Sequence, residues 1–309
     1  MPPIARREFL KTSLLTGAAV SLATHVSAAT KGGAERSRAN PQAPGIIDTN
    51  VNLFNWPFRK LKYSDTTALV RKLKKHHVIE AWAGSFEALL HKDINGVNER
   101  LAAECREKGE GLLRPFGTVN LAWPDWEEDV RRCHEVFKMP GVRIYPGYQP
   151  FDLSHADLPK LVAITQERGL LLQIVFGLED PRVHHPLIKV ANVTVDPLVP
   201  ILKKLPQARV ELLHFSGNAA GTDLQQLMTQ TSTTIDFSHW EGNGGIGRMI
   251  GTAPGSTAAR IPVERVMFGS HAPYFPLETA ILKLIESPAS SAQLLAMMQG
   301  NARRLLPPA

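Results

Sequence analysis

The chain has 309 residues, enough for one large domain or two small ones, and its 43% hydrophobic and 21% charged residues are ordinary for a globular protein. The net charge of +6 is mild, and no basic run is interleaved with aromatic residues, which argues against a nucleic-acid partner. The only cysteines, Cys105 and Cys133, both fall in amphipathic segments and read as buried free thiols.

Residues 1–28 read as an export signal. Arg6-Arg7-Glu8-Phe9-Leu10-Lys11 has the form of a twin-arginine motif, with Ala5 where Ser or Thr is usual. A short apolar run, Leu14 to Ala23, leads to the small residues Val26-Ser27-Ala28, a cleavage pattern. The run is about ten residues long, too short for a mature membrane span. The expectation is therefore an exported protein, periplasmic or extracellular. Residues 29–45 are mostly polar, with Gly, Ser and Pro, and read as a linker.

From Ile46 onward, short apolar runs alternate with longer amphipathic ones. The runs predict eight strands: Ile46–Asn52, Val78–Ser85, Leu112–Asn120, Gly141–Tyr145, Leu170–Phe176, Arg209–Phe215, Thr233–Ser238 and Arg265–Ser270. Helices are predicted between most of them, at 66–77, 95–108, 125–138, 155–168, 196–205 and 219–229, then at 277–286 and 290–306. Such alternation, over roughly 265 residues, points to a single (β/α)8 TIM barrel at 46–309 rather than an open doubly wound sheet. In a barrel the strand C-termini form the functional mouth, and residues i and i+2 of a strand point the same way. This brings Asn50 and Asn52, Arg143 and Tyr145, Gln173 or Val175, His214, Asp236 and His271 to one rim. Trp56 and Arg59 follow the first strand, where an aromatic ring and a cation can grip a ring or a carboxylate.

Four stretches carry a family resemblance: "IIDTNVNL", "ARVELLHFSG", "RVMFGSHAPYF" and "GNARRLL". They resemble the amidohydrolase-related family, the branch of the metal-dependent hydrolase superfamily that includes amino-carboxymuconate-semialdehyde decarboxylase-like enzymes. The resemblance implies a barrel hydrolase, or a related lyase, acting on a small carboxylated substrate. It also implies five metal ligands, and most are altered. The two first-strand histidines fall on Asn50 and Asn52, and the fifth-strand histidine falls on Val175 or Gln173. The sixth-strand histidine is kept as His214, and the eighth-strand aspartate becomes His271.

His214 and His271 offer two imidazoles to a divalent metal, whereas neutral amides suit hard ions and only beside carboxylates. The stretch "LEDPRVHHPL" after the fifth strand brings His184 and His185, which can complete a shifted site. Two readings stay open: one divalent metal at a non-standard site, or none. Without a metal, His271 is the candidate general base, and Arg143 and His214 stabilise developing charge. Asn50, Asn52, Trp56, Arg59, Tyr145 and Asp236 are the candidate substrate-binding residues. "GNGGIG" at 242–247 fits a phosphate-type glycine pattern, but it follows the seventh unit and is also explained by a plain loop. The altered ligands leave a second expectation, a barrel that binds a small molecule or protein without turning it over.

Overall fold

The computed structural model describes residues 44–215, 222–240, 244–255 and 261–307. The expected signal (1–28), all but the end of the linker, and the start of the glycine-rich stretch (242–243) lie outside these residues. So does the start of the helix expected at 219.

Eight parallel strands are described: β1 Ile46–Leu53, β2 Val78–Ser85, β3 in two pieces (Leu113–Pro115 and Gly117–Thr118), β4 Gly141–Ile144, β5 Leu171–Val175, β6 Arg209–Leu213, β7 Thr234–Asp236 and β8 Val266–Met267. Each pairs with its successor in chain order. The third strand was expected as one run. Its first piece pairs with β2 and its second with β4, and the break follows Pro115, which has no N–H for a ladder. Phe116 bridges the gap by donating its N–H to the Ala83 carbonyl at 2.8 Å.

The ring closes through β1. Thr49 N donates to Phe268 O, His271 N to Asn50 O and Asn52 N to Ala272 O, each at 2.9 Å. Val51 and Ala272 form a parallel bridge. This seam lies one to five residues beyond β8, so the end of β8 and the tips of β1 share one rim.

The helices follow their sequence signals. In α1 (Thr66–Lys75), Leu69, Val70 and Leu73 are buried, Asp65 caps the Ala68 N–H at 2.8 Å, and Lys72, Lys74 and Lys75 complement the dipole at the last turn. α2 (Ile94–Lys108) starts one residue before the expected Asn95 because Asp93 is the cap, accepting from Gly96 N at 2.8 Å. α3 (Trp126–Glu135), α4 (Leu158–Glu167), α5 (Leu198–Lys204) and α6 (Thr222–Gln230) follow, then α7 (Gly245–Met249), a short helix where the glycine-rich stretch reads as a loop, and α8 (Leu277–Glu286). None of the described helices is long and apolar enough to cross a membrane.

The last expected helix, 290–306, divides into α9 (Ser291–Leu295), a π turn (Ala296–Gly300) and α10 (Asn301–Leu305). Within that wide turn the Met297 carbonyl accepts from Phe268 N at 3.1 Å, tying the helix to the strand that carries the eighth rim position. Asn301, from the "GNARRLL" stretch, donates its amide to Val263 O and Val266 O at 2.7 Å each. That motif therefore anchors the C-terminal helix beneath β8. The main apolar core lies between the strand wall and the helices, and a second cluster of Trp56, Phe86, Tyr145, Val175, Leu178 and Tyr274 sits at the mouth. Cys105 and Cys133 are buried free thiols, as expected.

Candidate functional site

The alternation of β1 sends Asp48, Asn50 and Asn52 inward, and all three are buried. Asn50 donates its amide to Asp236 Oδ2 at 2.7 Å, and Asp236 Oδ1 accepts the backbone N–H of His214 at 2.8 Å. Asn52 accepts from Arg143 Nη1 at 2.9 Å, and its Nδ2 lies 3.4 Å from His271 Nδ1. Each asparagine at a position where relatives are expected to carry a ligand thus braces one of the two rim histidines. Asp48 accepts from the N–H groups of Asn50 (3.1 Å) and Ser270 (3.0 Å), holding the end of β1 against the segment leading to His271.

Arg143 is fully buried. Its guanidinium donates to Gln173 Oε1 (2.9 Å), Asn52 Oδ1, Val51 O (3.2 Å) and Trp82 O (3.3 Å). It spans the barrel from β4 to β1, β2 and β5 as a strut, and its side chain does not meet solvent. Tyr145 and Asp236 are likewise enclosed, Tyr145 OH donating to Ser85 O at 3.3 Å. These three expected contact residues act from behind the mouth in this conformation. Gln173 and Val175 supply no ligand: the Gln173 amide donates to Thr49 O and Glu211 Oε2, and Val175 packs in the apolar cluster.

At the rim, His214 and His271 converge with ring centroids 4.0 Å apart. A third imidazole, His239, stacks on His214 at 4.7 Å and lies 5.8 Å from His271. One ring nitrogen from each of the three falls within 4.8 Å of the others, the spacing of a metal-holding group. His184 and His185, expected to complete such a site, are not in this group. His185 instead stacks on Phe58 at 5.4 Å. The strand pattern does not single out His239, because it lies beyond the alternating part of β7. Its signal is position alone, three residues past the strand's C-terminal end. The Trp240 indole, donating to Phe215 O at 2.9 Å, and Lys283, donating to Ser238 O, hold that turn in place.

Residues 176–195 fold over the mouth. His214 Nδ1 bonds Gly177 O, and His271 Nε2 bonds Leu178 O at 2.8 Å. Leu178 N donates to Tyr148 OH at 3.1 Å, and Tyr274 OH donates to Glu179 Oε2 at 2.9 Å. His214 is 3% exposed and His271 0%, so this segment shuts the imidazoles off from solvent.

The electrostatics follow from burial. His214 and His271 titrate well below the usual histidine range, first through desolvation, then through neighbouring imidazoles. Burial brings His239 down to about 4. All three are neutral near pH 7. Beneath them burial raises the carboxyls of Asp48 to about 7 and Glu211 to about 8, and it also raises Asp236. Above the imidazoles is a wall of rings. Trp56 packs edge-on against Phe58 (5.5 Å), Phe86 (5.2 Å) and Tyr274 (5.2 Å), and Tyr274 stacks on His271 at 4.8 Å. The exposed Arg59 places its guanidinium 4.6 Å from the centre of the Tyr274 ring. Trp56 is buried, so its part is to pack this wall.

A family model described as amidohydrolase matches residues 55–307, beginning just past β1 and the two asparagines. No curated protein matches the chain in sequence. Among solved structures, 2,6-dihydroxybenzoate decarboxylase from Rhizobium superposes with a TM-score of 0.61 at 13% identity, over 84% of this chain and 98% of that one. A dihydroxybenzoic acid decarboxylase from Polaromonas, solved with manganese and an inhibitor, gives 0.65 at 13% over 84% and 96%. 5-Carboxyvanillate decarboxylase from Sphingomonas paucimobilis gives 0.59 at 13% over 85% and 98%. At such identities these likenesses speak for the barrel fold.

Proposed function

The chain belongs to the amidohydrolase family, and from that premise we propose that it is a lyase that removes the carboxyl group of a small ring-bearing acid at the barrel mouth. The observation that carries the reading is the mouth itself: neutral imidazoles at the base, a wall of aromatic rings above them, and the Arg59 cation at the edge. Rings bury and orient a planar substrate, and a guanidinium recognises a carboxylate by paired hydrogen bonds. The named activities of the structural neighbours, decarboxylation of dihydroxybenzoates and of 5-carboxyvanillate, agree with that chemistry.

In this reading, Arg59 receives the carboxylate from solvent and the segment 176–195 moves aside to admit the ring. When the carbon–carboxyl bond breaks, carbon dioxide leaves and the electron pair stays on the ring carbon, which takes up a proton. In the metal-free protein that proton comes from solvent through His271 while the mouth is open, and burial, by lowering the pKa of His271, makes its imidazolium a strong proton donor to the ring carbon. The closed segment then excludes water, so the carbanion-like centre is protonated from the site. The metal set that the family resemblance implies does not fit these residues. Asn50 and Asn52 are committed to Asp236, Arg143 and His271, and Val175 has no donor atom, so no step is drawn through it.

Incubation of the purified protein with hydroxybenzoates and carboxylated phenols tests the reading. The expected outcome is carbon dioxide and the ring product lacking the carboxyl, with His271→Ala slowing turnover by about 10²–10⁴-fold. A product formed only from esters or lactones would make the protein a hydrolase instead. A second reading, binding without turnover, is favoured by the internal pairing of Arg143 and Asn52, which leaves neither free for a reacting group. Calorimetric binding of the same acids without product would support it.

A further inference from the structure

We propose that His214, His239 and His271 form a three-imidazole site for one divalent transition-metal ion of the zinc class, held by a ligand set different from the one the family resemblance implies. Only His214 occupies a position where a histidine was expected. His271 replaces a carboxylate, and His239 comes from the turn after β7.

Three features of the molecule support the site. The ring nitrogens already lie within 4.8 Å of one another. Tetrahedral zinc with Zn–N bonds of about 2.0–2.1 Å needs ligand nitrogens roughly 3.4 Å apart, so the rings must close by up to about 1.4 Å. The second feature is unpaired lone pairs. Nε2 of the buried His214 and Nε2 of His239 have no hydrogen-bond partner among the described residues, although both atoms are sealed from solvent. The third is tautomer control. A metal-bound histidine ordinarily gives its other ring N–H to a carbonyl or carboxylate. His214 Nδ1 bonds Gly177 O and His271 Nε2 bonds Leu178 O, so the covering segment fixes both tautomers. That leaves Nε2 of His214 and Nδ1 of His271 as acceptors, and Nδ1 meets only the Asn52 amide at the long distance of 3.4 Å.

The chemistry of the set also predicts which ion it takes. Three neutral imidazoles and no carboxylate suit zinc, cobalt, nickel or copper, whereas manganese and magnesium favour oxygen ligands. This barrel therefore differs in metal preference from a manganese-holding relative, and because the ion takes the Nδ1 lone pair of His271, the proton transfer proposed above belongs to the metal-free protein.

The test uses the full-length protein, stripped by chelator and titrated with Zn²⁺ by calorimetry, and with Co²⁺ by visible absorption. The expected result is one ion per chain, the ligand-field bands of four-coordinate cobalt, and binding of Mn²⁺ at least about 100-fold weaker. His239→Ala and the hydrogen-bonding variant His239→Gln should each weaken Zn²⁺ by more than about 100-fold and abolish the cobalt bands, since even outer-shell partners cost 10–100-fold. Circular dichroism verifies that the variants fold, and the glutamine variant serves if the alanine one does not. His185→Ala should leave binding unchanged. Absence of Zn²⁺ binding by the parent protein, undiminished binding by a folded His239 variant, or Mn²⁺ binding as tight as Zn²⁺ would each overturn the proposal.

Discussion

His214 and His271 both hold left-handed backbone, with φ of +61° and +59°. That conformation costs a side-chain-bearing residue about 1–2 kcal/mol, and it aims both imidazoles off their strand ends toward each other. Removing the ring and removing the strain are separable. His271→Gly should be more stable than His271→Ala by about 1 kcal/mol in urea unfolding, because only glycine is at ease at this φ. Equal stability would mean that the surrounding contacts, not the backbone, set the conformation. Gly84 tests the strut below. A Cβ there would lie 2.4 Å from Arg143 Nη1 and 2.9 Å from Tyr145 OH. Gly84→Ala is expected to cost about 1–3 kcal/mol and to disturb the Arg143–Asn52–His271 chain of contacts. An unaltered denaturation midpoint would show that the guanidinium has slack to move.

Among the elements, the segment 176–195 is the one that covers the rim histidines. It carries two carbonyls bonded to imidazoles, and Glu179 is its latch to Tyr274. Its outer side is thinly held, with Val183 and Leu187 exposed. Tyr274→Phe leaves a buried carboxylate oxygen without its donor, at a cost of about 1–3 kcal/mol to the closed form. Hydrogen exchange at 177–190 should quicken in this variant while exchange in the barrel strands stays as it was. Unchanged protection of the segment would mean that the backbone bonds to the histidines hold it alone. In the same way the π turn in the C-terminal helix serves the site, since its Met297 carbonyl fixes Phe268 three residues before His271.

For the whole molecule, buried titratable groups set how stability varies with pH. The folded-state pKa of Glu211 is raised from 4.5 to about 8 and that of Asp48 from 3.8 to about 7, both mainly by burial. Between the ordinary and the raised value the folded chain binds more protons than the unfolded one, so these carboxyls make stability fall as pH rises. The histidines act in the opposite sense, but only below their ordinary value of 6.5, where the unfolded chain takes up the protons. From pH 6.5 to 8 the carboxyls act without that opposition, and the thermal midpoint should decline. Glu211→Gln should flatten the decline, with Gln173 still donating to the new side-chain oxygen. A midpoint that climbs over this interval would contradict the buried-carboxyl account.

The strand–helix period by itself determined the barrel order and the rim on which Asn50, Asn52, His214 and His271 meet, because alternation and strand direction are local properties of the chain. The C-terminal "GNARRLL" stretch was legible in the same way, its Asn301 securing a helix to β8. Tertiary structure alone decided which of the remaining histidines joins the pair. It also turned Arg143 into a strut and brought the carbonyls of 177 and 178 onto the imidazoles. The physical reason is distance along the chain. Asn52 and His271 are 219 residues apart and His271 and Leu178 are 93 apart, and hydrogen bonds of that span leave no period in the sequence.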